Sequence, residues 1–198
     1  MKNTIEVGII GAGNIATTVH MPILSSMEGV SIKYAADIQE PNFRYPLDIR
    51  KIRIKDDLSV LPDCDIVLLT VPVGARKRYI EEFARRGIMI FTEKPFAIDT
   101  RTHTRFLELT KNISCNYMRT AYSSIRQLKK IYDSGMLGEL KEVNVTEGGI
   151  VKKTSKGKEH YQTKAGLSGG GILMESGCHT LSQLSFLFGE GNITVRQA

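Results

Sequence analysis

Val7-Gly8-Ile9-Ile10-Gly11-Ala12-Gly13-Asn14-Ile15-Ala16 is the stretch that decides the fold. An apolar run feeds a turn with two glycines two apart, and a segment of helical character follows, Thr17 to Ser25. Strand, glycine turn and helix start form the context that a dinucleotide-binding fingerprint requires. Gly11 permits a sharp turn where a side chain would clash. Gly13 lets the backbone approach a pyrophosphate, and Ala16, in place of a third glycine, still lets the helix pack on the strand. The N–H groups at the helix start, around Asn14 and Ile15, then face the anion along the helix dipole. A second signal lies downstream: Val30 to Ala36 reads as a strand that ends in Asp37. A carboxylate there accepts hydrogen bonds from the adenosine ribose hydroxyls and repels a 2′-phosphate. NAD is therefore the expected cofactor, and Arg44, seven residues on, keeps NADP open.

Farther along, Ile38 to Ile54 carries Pro41 and Pro46 and reads as an irregular crossover without a long helix. Asp65 to Val71 is a continuous apolar strand of the buried parallel kind, ended by Pro72. A helix is predicted over Arg76–Arg86, with Tyr79, Ile80 and Phe83 as its apolar stripe and Gly87 as its stop. Ile88 to Thr92 is the next strand and runs into Glu93-Lys94-Pro95. Asp99 or Thr100 caps a helix to Lys111, Ile113 to Met118 is a short strand, and Ala121 to Ser134 is an amphipathic helix closing at Gly135. Leu140 to Val145 alternates apolar and polar, the period of an antiparallel sheet with one wet face. The change of pattern sets a domain boundary near Arg119: residues 1–119 form a dinucleotide-binding domain and residues 120–198 a second, incomplete one. A polar, basic loop follows from Gly148 to Leu167. Gly169-Gly170-Gly171 then opens a helix over Ile172–Phe188, and Ile193-Thr194-Val195 begins a strand.

The first fold class is thus α/β, a Rossmann-type doubly wound parallel sheet. In such sheets ligands sit at the carboxyl ends of the strands. That rim gathers the candidate cofactor-binding set: Gly11, Gly13, Asn14, Ile15, Ala16, Asp37, Thr70, Pro72, Glu93 and Lys94.

Composition narrows the partners. The 198 residues carry 27 Lys and Arg against 21 Asp and Glu, a net charge of +6. A basic balance suits anionic small molecules. No basic helix is interleaved with aromatics, so nucleic acid is not expected. Cys64, Cys115 and Cys178 are far apart and odd in number, which argues against a disulfide framework or a structural zinc site and fits a reducing cytoplasm. No metal site is expected among the four histidines. The first apolar run is interrupted by glycines, and the longest, around Ile66 to Ala75, is too short to span a bilayer, so neither a secretion signal nor a membrane segment is expected.

The chemistry-bearing candidates are few. Lys94 stands at the end of a buried strand, where an ammonium can polarise a substrate oxygen; a surface lysine just past a strand is the plainer alternative. The Lys94–Pro95 bond is a candidate cis peptide. Glu175 and His179, four apart on the last helix, share a face; a carboxylate there can hold the histidine's tautomer and raise its basicity, and a helix-surface Glu–His pair is the plainer alternative. The glycine triplet before that helix lets a ligand or another backbone approach closely. His20 and His103 have no comparable setting, and His160 lies in the basic loop. Tyr117, Arg119 and Tyr122 lie where the domains join. Lys152, Lys153, Lys156, Lys158 and Lys164 form a charge run that reads as a solvated face, with an anionic substrate as the sharper alternative.

These motifs, in order, resemble the glucose–fructose oxidoreductase / inositol dehydrogenase (Gfo/Idh/MocA) family: Gly11-x-Gly13-x-x-Ala16, Glu93-Lys94-Pro95, Ser134-Gly135-x-Leu137-Gly138, and Gly169-Gly170-Gly171 followed by Glu175-x-Gly177-x-His179. The resemblance implies a Rossmann domain followed by the start of an α/β domain with an open, largely antiparallel sheet. It implies NAD(P)-dependent hydride transfer at a hydroxyl or keto carbon of a sugar, cyclitol or related small molecule, and a homo-oligomer for a full-length form. Lys94 corresponds to the family's EKP lysine, His179 to its proton-exchanging histidine, and Glu175 stands where aspartate is usual. Val71-Pro72 stands for Thr-Pro, Arg76 falls where a histidine is frequent, and the Gln39–Ile54 region lacks the usual helix. Family members continue past the equivalent of Ala198, so residues 120–198 are expected to supply only the first part of the second sheet. A non-catalytic NAD(P)-binding sensor or partner-binding module on the same scaffold is the rival reading.

Overall fold

The computed structural model describes residues 4–43, 49–147, 165–171 and 173–189. The chain divides into two compact units, Met1–Asn116 and Tyr117–Ala198.

The first unit is built on six strands: β1 (Ile5–Ile10), β2 (Val30–Asp37), β3 (Arg50–Arg53), β4 (Ile66–Leu69), β5 (Met89–Thr92) and β6 (Ile113–Cys115). They form one sheet in the order β3-β2-β1-β4-β5-β6, and every pairing is parallel. This is the doubly wound order, in which the strand sequence reverses between β1 and β4. Both faces are covered. On one, Tyr79, Ile80 and Phe83 of the helix α2 (Lys77–Arg85) pack with Ile10, Tyr34, Val67, Leu69 and Ile90. The helix α3 (Thr100–Leu109) adds Phe106 to that layer. On the other face, Ala16 and Met21 pack with Val7, Ile9, Ile32, Ala35 and Leu68. The preceding helix is not uniform: a π-helical turn, Ala16–His20, runs into α1 (Met21–Ser26). Asp99 caps α3, accepting the Thr102 N–H at 2.7 Å.

Two sequence expectations change here. The segment 38–54 is not simply an irregular crossover, because Arg50–Arg53 joins the sheet as its edge strand, with Asp37 opposite Arg53. Arg50, Lys51 and Arg53 are exposed while Ile49 and Ile54 are buried. A charged edge strand protects the sheet from pairing with another chain, and its charges hide it from a search for apolar runs. The helix after the glycine turn begins earlier than Thr17, since Gly13 O already accepts the Thr17 N–H at 3.1 Å.

One packing detail was not legible. The Tyr34 ring lies across β1 at Gly8, where a Cβ would stand 2.3 Å from the ring. The β1–β2 register shifts at that point, between Val7 and Gly8. The Tyr34 hydroxyl reaches Cys64 Sγ at 3.7 Å, and burial pushes the ionisation of both groups up.

The second unit holds α4 (Ser123–Asp133), the short α5 (Ala165–Ser168), a π-helical turn over Leu173–Gly177 and α6 (Cys178–Phe188). Ile125, Leu128 and Tyr132 of α4 and Leu184, Leu187 and Phe188 of α6 line a cavity of about 430 Å³. Tyr132 and Phe188 meet edge to face at 5.0 Å. The strand expected over Leu140–Val145 makes no ladder among the described residues, and Leu140, Val143 and Val145 are 44–53% exposed. A strand exists by pairing, and the expected Ile193–Val195 strand lies outside the described residues. The same is true of Arg44, Pro46, His160 and the lysines of the basic loop, from Lys152 to Lys164.

Candidate active site

The glycine turn closes over the carboxyl ends of β1, β2 and β4. Gly11 has φ +96°, and a Cβ there would stand 2.9 Å from Thr70 Oγ1 and 3.0 Å from the Thr70 carbonyl carbon. Both the conformation and the space exclude a side chain. The Thr70 hydroxyl lies 3.0 Å from Ile10 O and 2.5 Å from Gly11 O, tying β4 to the turn. Asp37 ties it from the other side. Its Oδ2 accepts the Ala12 N–H at 2.8 Å and its Oδ1 the Gln39 N–H at 3.0 Å. Each oxygen keeps a lone pair for a further donor.

Gly13 differs from Gly11. A Cβ at Gly13 would meet nothing within 4 Å, and Gly13, Asn14 and Ile15 are exposed. The space beside Gly13 is open ground in front of a helix start whose first N–H groups have no intrahelical acceptor. A pyrophosphate fits that cradle in shape and charge. Ala12 is not part of the donor set, because Asp37 holds its N–H.

The second half of the rim is the Glu93-Lys94-Pro95 turn after β5. The Lys94–Pro95 peptide is cis. Two side chains missed by sequence reasoning hold Glu93. His20 Nε2 lies 2.7 Å from Glu93 Oε1, with both side chains only 12% exposed. Asn116 Nδ2 donates to the same oxygen at 2.8 Å, and the Lys94 N–H reaches Oε2 at 3.2 Å. Burial alone would raise the Glu93 carboxyl, but the His20 and Asn116 hydrogen bonds and the His20 charge outweigh it and hold the group below its usual range. His20 thus does have a setting, on the first helix, opposite a residue 73 positions away.

Arg76 is another residue whose surroundings the sequence concealed. It is 2% exposed. Its guanidinium donates from Nε to Val71 O at 3.1 Å, from Nη1 to Glu93 O and Pro95 O, and from Nη2 to Lys94 O at 3.2 Å. Pro72 begins the 3₁₀ turn Val73–Ala75 that delivers Arg76 to this position.

Lys94 belongs to the first unit and His179 to the second. His179 is 5% exposed and stands near the start of α6. Glu175 falls in the wide turn Leu173–Gly177, so the four-residue spacing to His179 crosses a change of helical pitch and not one regular face. A further carboxylate in this unit is Glu147, a residue that sequence reasoning passed over. Glu147 accepts from Thr180 Oγ1 at 2.5 Å and from Arg119 Nη1 at 2.7 Å, and these two bonds, ahead of the charges of Arg119 and His179, hold it below its usual range. The glycine triplet before the helix has φ of +82°, +140° and +68°. Its requirement is conformational, since a Cβ at Gly171 would meet nothing within 4 Å and one at Gly170 only Met174, at 3.4 Å. Among the described residues no cluster of histidine, cysteine and acidic side chains is arranged to hold a metal ion, and no helix is long and apolar enough to cross a membrane.

Comparison with known families gives the same frame. Residues 5–120 match the oxidoreductase family with NAD-binding Rossmann fold, GFO/IDH/MocA, and residues 125–196 match the GFO/IDH/MocA C-terminal domain. The chain belongs to the GFO/IDH/MocA oxidoreductase family. Inositol 2-dehydrogenase of Rhizobium meliloti is 26% identical over 201 residues, which cover 97% of this chain and 57% of that protein. An oxidoreductase from Thermotoga maritima superposes with a TM-score of 0.77 at 22% identity, covering 94% of this chain and 60% of the other. A mutant of KijD10, a 3-ketoreductase from Actinomadura kijaniata in complex with TDP-benzene and NADP, gives a TM-score of 0.76 at 22% identity, covering 94% and 58%. The chain spans a little over half the length of these relatives.

Proposed function

We propose that this chain carries the cofactor-binding and proton-transfer groups of an NAD(P)-dependent dehydrogenase acting on a CH–OH carbon of a sugar, cyclitol or related small molecule. The observation that carries the reading is the rim itself: an Asp37-braced glycine turn with open ground at Gly13, and Lys94 on a turn anchored through Glu93 on the same sheet. Inositol 2-dehydrogenase among the relatives supports the substrate class.

In this reading Gly13, Asn14 and Ile15 bind the pyrophosphate through their N–H groups. Asp37 accepts the ribose hydroxyls on its remaining lone pairs and favours NAD over NADP. Thr70, Pro72 and Glu93 shape the nicotinamide end. A bound nicotinamide supplies the hydride acceptor. In the alcohol-oxidising direction His179 takes the hydroxyl proton on a ring nitrogen, Glu175 orients that ring, and Lys94 stabilises the charge that develops on oxygen. Leu140–Val145 begins an open, largely antiparallel sheet, the full-length protein is a homo-oligomer, and its site of action is the cytoplasm.

Titration with NADH and NADPH, followed by nicotinamide fluorescence, tests the cofactor part, and no tryptophan interferes. Tight NADH binding with weak NADPH binding is expected; no binding of either overturns the reading. In the full-length enzyme, Lys94→Ala and His179→Ala each lower turnover about hundredfold or more while NADH still binds. Unchanged turnover in either variant removes that residue from the mechanism.

A further inference from the structure

We infer that Arg76 is the positioning residue for Lys94, acting through the main chain of the Glu93-Lys94-Pro95 turn; this rests on the dehydrogenase reading of Lys94. Where β5 ends, the carbonyls of Glu93, Lys94 and Pro95 leave the ladder, and buried carbonyls must find donors. A guanidinium meets all three, together with Val71 O at the end of β4. The location is otherwise a poor one for a cation. Arg76 occupies the N-cap position of α2, where the helix dipole disfavours positive charge, and it is 2% exposed. The carbonyl dipoles of two strand ends offset both penalties. No other side chain reproduces the arrangement: a histidine has at most two N–H donors in a fixed ring, and a lysine is a point charge with three. The turn that carries Lys94 is therefore held in its main chain by Arg76 and in the Glu93 side chain by His20 and Asn116.

The test reads Lys94 directly. The 198-residue chain, wild type and as Arg76→Met and Arg76→Lys, is treated with an amine-acetylating reagent, and acetylation rates of Lys94 and Lys33 are followed by peptide mass spectrometry with and without NADH. Lys33, paired with Glu6 at 3.0 Å on the same sheet, reports general loosening. In Arg76→Met, Lys94 is expected to react about fivefold faster or more without NADH, as for the loss of a buried hydrogen-bonding group, with Lys33 unchanged. Arg76→Lys falls between that variant and the wild type, and it carries the comparison if Arg76→Met does not fold. An unchanged Lys94 rate overturns the proposal. So does a parallel rise of Lys94 and Lys33, which marks a merely structural residue. If NADH fails to slow Lys94 acetylation in the wild type, the dehydrogenase reading of Lys94 fails, and the rates without NADH still judge Arg76.

Discussion

Gly11→Ala adds one methyl group and meets two obstacles, a φ of +96° and Thr70 within 3.0 Å. It is expected to lower stability by about 1–3 kcal/mol and to weaken NADH binding, measured by denaturant unfolding and fluorescence titration. Glu93 gives a prediction in pH. Its carboxyl is held below the ordinary 4.5, so its contribution is full above that value and is lost as pH falls through the lower, folded one. Melting curves of Glu93→Gln and wild type should therefore differ most near neutral pH and converge in acid; a gap that widens in acid contradicts the assignment. The sequence exposed Gly11 and Asp37 because each sits at a fixed offset in a motif. It concealed the contacts of His20, Arg76 and Glu147 because their partners lie 73, 17 and 33 positions away, and no periodicity encodes a bond across the fold.

The central strands were legible because they are deeply buried. β1, β4 and β5 are apolar runs because both faces of a parallel sheet are covered. β3 escaped notice because its residues, Arg-Lys-Ile-Arg, are those of a guarded edge. Leu140–Val145 is the opposite case: alternation describes a face, a ladder also needs a neighbour, and none of the described residues pairs with it. The β1–β2 pair contains a coupled packing decision, since Gly8 is small where the Tyr34 ring crosses. Gly8→Ala should destabilise by about 1–3 kcal/mol through overpacking. In a Tyr34→Val background the same change should cost much less, and additive unfolding energies in the double-mutant cycle would remove the coupling.

Across the whole molecule, burial is unequal. Ile9, Leu68 and Ile90 in the first unit are at most 3% exposed. In the second unit only Ser168, His179 and Leu187 are buried among the described residues. Hydrogen exchange should therefore be slowest in β1, β4 and β5 and faster throughout α4 and α6; equal protection in both units would show a shared cooperative core. The strand order has a consequence for biosynthesis. β1 is translated first, and its two neighbours arrive at different times: β2 by residue 37, β4 only with residues 66–69. On the ribosome, one edge of an apolar strand stays open while more than fifty residues are added. Such an edge invites pairing with other nascent chains. Translation speed between Arg53 and Ile66 is thus a lever on soluble yield, and synonymous codons that slow it should send more of the product into inclusion bodies.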